Sequence, residues 1–383
     1  MKSKRLLVLT LSFCLVLVFT SIAFLSGCSS KTESTTPAAT TSPMAQTSTP
    51  TTSAPATTTP VKAVTLKLAP GGLPNDKALF GAIPQWIIEV EKRTQGRVKI
   101  EVYYGETLAK GRENIDALQN GIADVIFPAP HHQPGKLPLF TLGNVPGLST
   151  DGWAKNRAFY ELMTTQQAFA DEWAKYGGVV IGSAYYSACG LIAASPINTL
   201  DQVKGMKISA QAPASDMLQT FGAAPLALQP AEQYDGMSKH TVDALAEPIN
   251  ASIDFKHYEV AKYFTFFNLG DRNHALVIAK SALNKLTPQD QKIISDLAPE
   301  YVQMAYDNAM KGTEPNGMDI MKSNGVNFIN PNAADQAKCI ATANDLVTKW
   351  VAEMDGKGLP GTAIMAKYKE LIKKYEAVSP YKK

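Results

Sequence analysis

An α/β fold of two lobes, with mainly parallel sheets, a ligand cleft between them and long helices towards the C-terminus, is predicted by three observations. The segment able to fold, residues 61–383, is roughly 320 residues long and exceeds what a single hydrophobic core usually accommodates. A β-α-β-α-β order of hydrophobic patterns occurs in it twice. The junctions from helix to strand also match between the halves, Gly121-Ile122-Ala123-Asp124-Val125 in one and His240-Thr241-Val242-Asp243-Ala244 in the other.

The residues ahead of that segment read as an address and a tether. Lys2, Lys4 and Arg5 precede an apolar run over residues 6–24, which ends in Leu25-Ser26-Gly27-Cys28. A basic start, an apolar middle and small residues before a cysteine form a secretion signal, with a lipobox that resembles that of bacterial lipoproteins. Residues 1–28 are therefore expected to be a signal peptide ending at Cys28, whose lipid (acyl chains such as palmitate) holds the protein on the extracytoplasmic face of the cell membrane, in the periplasm or at the cell exterior. The other reading of the run is an uncleaved helix, since about 19 apolar residues just span a bilayer. Residues 29–60 are nearly all Ser, Thr, Pro and Ala, a composition that buries too little apolar surface to offset ordering entropy. They are expected to form a disordered, extended linker.

In the folding segment, Val64, Leu66 and Leu68 alternate with Thr65 and Lys67, the period of a half-buried strand. After a Pro-Gly break, Phe80, Ile83, Trp86, Ile87 and Val90 recur at helical spacing up to Gly96. Val98, Ile100 and Val102 form a second strand, residues 112–120 a helix and residues 123–127 a third strand. The second half repeats this with a strand at 206–209, a helix at 214–221, a strand at 225–228, a helix at 230–239 and a strand at 242–245. Ile181, residues 191–194 and residues 275–279 read as further strands, the last two crossing between lobes. Helical patterns over 288–311 and 333–354 follow. Lobe 1 is expected to comprise about 61–185 plus a later returning segment, and lobe 2 about 190–275 plus the C-terminal helices.

The net charge of +3 is close to balance and the mature part has no cluster of Lys and Arg, which excludes an electrostatic case for nucleic acid. Once Cys14 leaves with the signal and Cys28 is lipidated, Cys189 and Cys339 remain; they read as two buried thiols, a disulfide being the alternative. There is no His-Glu-x-x-His pair, no Gly-x-Ser-x-Gly elbow and no metal-spaced cysteine set. The expectation is a binding protein without cofactor, resident metal or catalytic residues, a periplasmic hydrolase being the rival of another class.

In open α/β sheets, ligands bind beyond the carboxyl ends of the strands. That rule selects the loops 69–75, 104–110 and 128–135 in one lobe, and 210–213, 229–230 and 246–250 in the other. The ligand-binding candidates are therefore Asn75, His131 and His132 from the first set, Gln211, Glu247 and Asn250 from the second, and Ser209 at the end of the strand before 210–213. Tyr185 and Tyr186 follow a strand near the crossover, where one ring can lie against a ligand while the other packs in the core. Arg272, Lys110 and Arg112 are the available cations; Arg112 also reads as a helix start and Arg272 as a surface residue.

The stretches Glu89-Val90-Glu91-Lys92-Arg93 through Gly105, Gly121 to Val125, Gln133-Pro134-Gly135-Lys136-Leu137, Leu200 to Ile208 and Phe255 to Tyr263 resemble, in order and spacing, the TRAP transporter solute-binding proteins. The resemblance implies an extracytoplasmic receptor that captures a small organic solute, often an acid, and hands it to TRAP membrane subunits driven by an ion gradient. An ABC importer or a sensor system are the other partners such a fold serves. Three positions depart from the family pattern. Ser209 stands where an arginine clamps the ligand carboxylate, no second arginine occurs over 185–192, and Glu247 replaces an asparagine. A missing bidentate Arg–carboxylate bond is expected to weaken simple carboxylates by roughly ten- to a hundredfold.

Overall fold

The computed structural model describes residues 63–72 and 77–381, so the expected signal, Cys28, the linker and Asn75 lie outside the described residues. The first sheet has the order β2-β1-β3-β10-β4, built from β1 (Val64–Ala69), β2 (Val98–Val102), β3 (Val125–Ile126), β4 (Gly178–Ala188) and β10 (Asp271–Ala279). The second has the order β11-β9-β5-β8-β6-β7, from β5 (Gly190–Ala193), β6 (Lys207–Ser209), β7 (Ala224–Leu226), β8 (Ala244–Glu247), β9 (Tyr263–Thr265) and β11 (Asn327–Ile329).

Parallel pairing joins β1 to β2 and β3, and β6 to β7 and β8. One strand in each sheet runs against its neighbours: β10 between β3 and β4, and β5 between β8 and β9. These reversed strands are the ones by which the chain enters from the opposite lobe. β4 of the first sheet leads through Cys189 into β5 of the second, and β9 of the second leads back into β10 of the first. The two connections pair with each other, Cys189 N–H donating to Gly270 O (2.8 Å) and Leu269 N–H to Cys189 O (2.9 Å). Within this ladder Arg272 faces Ser187 while Asn273 faces Tyr185, which leaves Tyr186 as the extra residue of a bulge.

Helices finish each lobe where their apolar faces dictate. In Ala82–Arg93 the residues Ile83, Trp86 and Val90 lie on one buried face. Pro288–Asp307 starts with Pro288 at its first turn and Thr287 Oγ1 accepting from Asp290 N–H (3.2 Å). It buries Ile294, Leu297 and Tyr301 in the core of the first lobe. A π-helical turn over Asn308–Thr313 then carries the chain into Glu314–Ser323, whose Met321 joins the core of the second lobe. The helix Ala333–Gly356 crosses back, with Cys339 in the second core and Val347, Trp350 and Met354 in the first.

The last helix, Gly361–Val378, lies in lobe 1, burying Tyr368, Leu371 and Ile372. This corrects the expected division, in which the C-terminal helices belonged to lobe 2. The heptad-like pattern of a helix shows which face is buried but not which sheet it covers. Helices at Gly152–Thr165 and Gln167–Ala174 were not foreseen either. Cys189 and Cys339 are both free and buried.

Candidate functional site

A cavity of about 470 Å³ opens between the two sheets. The carboxyl ends of β1, β3, β6 and β8 all deliver residues to it, as the parallel strands direct. From the first lobe come Gly71, Gly72, Phe127, His131 and His132, and from the second Gln211, Gln233 and Glu247. The crossing strands add Tyr186, Arg272 and His274. Phe80, Phe127, Tyr186 and Phe255 supply its aromatic walls.

One wall depends on backbone alone. Gly71 has φ +82°, and a Cβ there would meet Gly111 Cα at 2.7 Å. Only glycine lets the loop after β1 lie this close to the loop ahead of the helix Asn114–Gln119. Glu106 Oε1 fixes the same corner by accepting the Gly111 N–H at 3.0 Å.

The polar end is built around Arg272, which is 4% exposed. Its Nη2 lies 4.0 Å from Glu247 Oε2, and its guanidinium also contacts the Cys189 sulfur. Its Nη1 is buried and has no hydrogen-bond partner. Glu247 is held by Gln233, whose Nε2 donates to Oε1 at 2.6 Å, while the Gln233 Oε1 is buried and unpartnered. Burial pushes the Cys189 thiol up to about 12, so the sulfur beside Arg272 stays protonated.

Three histidines line the other side. His131 and His132 stand edge to face with ring centres 4.7 Å apart, and His274 stacks on Phe127 at 5.1 Å. Asn144 Nδ2 donates to His131 Nδ1 (3.0 Å), which leaves the proton of the neutral ring on Nε2. Burial, with Arg112 and Arg272 nearby, pushes His132 down to about 4, and burial holds His131 and His274 well below the ordinary imidazole value. All three are neutral at neutral pH. Among the described residues no group of His, Cys, Asp and Glu is arranged to hold a metal ion.

Of the residues singled out from sequence, His131, His132, Tyr186, Gln211, Glu247 and Arg272 line the cavity, as does Arg112. Arg272 is buried rather than a surface residue, because β10 is covered on both faces. Tyr185 is placed elsewhere: its hydroxyl donates to Asp271 Oδ1 (2.9 Å) and its ring packs near Tyr306. Ser209 is buried with only Gln233 Nε2 near its hydroxyl, at 3.5 Å. Asn250 lies behind the wall, donating to Tyr186 O at 3.1 Å. Lys110 is exposed beside Glu113 (3.9 Å).

Sequence reasoning missed Gln233 and His274. The alternation of a strand places His274 on the same face as Arg272, so that signal was available. Gln233 sits one turn into the helix Pro230–Ser238, beyond the loop that the strand-end rule selects.

In sequence and fold this chain is similar to known proteins. The family described as "Bacterial extracellular solute-binding protein, family 7" matches residues 72–354. A solute-binding protein of Albidiferax ferrireducens is 27% identical over 233 residues, 58% of this chain and 67% of the relative. The 2,3-diketo-L-gulonate-binding periplasmic protein of Escherichia coli is 25% identical over 217 residues, 55% of this chain and 65% of that protein. Among solved structures, a TRAP solute-binding protein from Rhodoferax ferrireducens in complex with copurified benzoate is similar with a TM-score of 0.75 at 22% identity, over 83% of this chain and 100% of the other. One from Bordetella bronchiseptica with bound (R)- and (S)-mandelate gives 0.73 at 22% identity, over 81% and 99%.

Proposed function

This chain belongs to family 7 of the bacterial extracellular solute-binding proteins, and from that premise we propose that it is the receptor of a TRAP-type secondary transporter. It captures a small organic solute in the cavity between the sheets and delivers it to the membrane subunits. The observation that carries this reading is a buried guanidinium with a free Nη1 at the polar end of a cavity that also has aromatic walls. Such a group left without a partner is costly, and a carboxylate brings the missing acceptor. The benzoate and mandelate held by the similar structures support an acidic group on the solute.

Members of the family are receptors, and this one releases its solute unchanged. The residues that contact the solute are Arg272, Glu247, Gln211, Gln233, Tyr186 and the histidines 131, 132 and 274. Mass spectrometry of the small molecules released from natively purified protein identifies the solute. Titration of that compound back into emptied protein should then give one site per chain and quantitative recovery of the same compound. A steadily accumulating product would reject the receptor role. Genes for two TRAP membrane subunits beside this one support the transporter partner, whereas an ATPase or a histidine kinase there would point to an importer or a sensor instead.

The receptor stays at the membrane through lipid on Cys28, with residues 29–60 as its tether. The sequence Leu25-Ser26-Gly27-Cys28 after an apolar run supports this. Intact-mass analysis of membrane-extracted protein is expected to show an acylated chain that begins at Cys28. A soluble chain of full precursor mass would overturn the anchor alone.

A further inference from the structure

The charges around the cavity do not suit a simple anion. Two arginines line it, Arg112 and Arg272, against three glutamates, Glu106, Glu232 and Glu247, a net charge of −1 with the histidines neutral. At the polar end Arg272 and Glu247 already face each other at 4.0 Å. A bare carboxylate seated on Arg272 would therefore stand beside Glu247 and leave that buried corner with excess negative charge, which a low-dielectric site penalises. A second observation points the same way. Besides the free donor on Arg272, the corner holds a free acceptor: Gln233 Nε2 donates to Glu247, and the Gln233 Oε1 is buried without a partner. Glu247 Oε2 has only the distant Arg272. One buried acceptor without a donor, beside a carboxylate oxygen whose cation stands 4.0 Å away, calls for a group rich in N–H or O–H, and the excess negative charge calls for a positive one. Both demands are met by a protonated amine.

Resting on the solute-receptor reading, we propose that the natural solute is a zwitterion of amino-acid type, with its carboxylate on Arg272, its ammonium on Glu247 and Gln233, and an apolar or aromatic body against the walls. Its dipole lies antiparallel to that of the Arg272–Glu247 pair, so each charge is matched and the corner as a whole gains none. Glu247 thereby decides between amino acids and the plain acids of the same skeleton.

The test is calorimetry on the full-length protein in detergent with matched sets of probes: α- and ω-amino acids, leucine and phenylalanine among them, each beside its desamino carboxylate and its hydroxy acid. The expected result is tighter binding of the amino member, by roughly ten- to a hundredfold, the worth of a charge-assisted hydrogen bond. In Glu247→Gln, which keeps size and one acceptor but removes the charge, that preference should shrink at least tenfold. Wild-type protein that prefers a desamino or hydroxy acid overturns the proposal and leaves the receptor reading standing. So does an unchanged preference in the variant. If wild type binds neither set, the proposal falls, while the receptor reading is decided separately by the solute released from natively purified protein. Should the variant not fold, the comparison of probes on wild type decides alone.

Discussion

At the scale of single residues, the site turns on a cation that moved. The family pattern led to the position of Ser209, which here is buried and whose hydroxyl meets Gln233 Nε2 at 3.5 Å. The loops of the cleft were legible because parallel strands all point one way, and His131, His132, Gln211 and Glu247 follow from that rule alone. Arg272 was legible as a candidate but not as a buried one. Its neighbours Asp271 and Asn273 look like surface, and only the structure pairs Asp271 with Lys155 at 2.6 Å in the interior. Two expected outcomes follow. Arg272→Gln should weaken a carboxylate-bearing solute by roughly ten- to a hundredfold in calorimetry, whereas Ser209→Ala should change affinity by less than about threefold, since the 3.5 Å contact it loses is weak. Lys155→Met leaves Asp271 buried with only the Tyr185 hydroxyl. That should cost about 3–5 kcal/mol, read as a melting point lower by roughly 6–10 °C for a chain this size.

Among the elements, most strands were legible to within a residue or two from alternation, yet their directions were not. β5 and β10 run against their sheets because each arrives from the other lobe, and hydrophobic period carries no sign of direction. The helices Gly152–Thr165 and Gly361–Val378, which pack on each other in the first lobe, escaped notice because their buried faces are diluted by Lys155, Asn156 and a run of lysines. The loop after β1 offers a test of the cavity wall. Gly71→Ala places a methyl 2.7 Å from Gly111 Cα at a φ that disfavours side chains. The two loops must part, so solute affinity should drop about tenfold or more while stability falls by about 1–3 kcal/mol. Equal affinity in calorimetry would show that the close approach does not shape the site.

For the whole molecule, buried histidines make stability depend on acid. His131, His132, His257 and His274 are all depressed, chiefly by burial, His132 to about 4 and His257 to about 3. Each stays neutral in the folded state while the unfolded chain takes up a proton below the ordinary value of 6.5, so each removes stability as pH falls from about 6.5 towards 4. Glu172 acts in the opposite sense: burial raises it to about 7, against backbone bonds from Leu139 and Phe140, so it adds stability as pH falls from 7 towards 4.5. Four protons gained by the histidines on unfolding, less the one Glu172 gives up, leave about three. Urea denaturation near pH 5.5 should show stability falling by up to about 4 kcal/mol per pH unit. A flat profile there would mean that the histidines are hydrated. The crossings between lobes also bear on how the molecule is made. β10, a central strand of the first sheet, is synthesised after every strand of the second sheet but β11. No single cut in the chain yields a complete lobe, and an emerging polypeptide cannot finish the first sheet until residue 279 has appeared. The two halves of this receptor are therefore born unfinished together, and during biosynthesis they must mature as one unit.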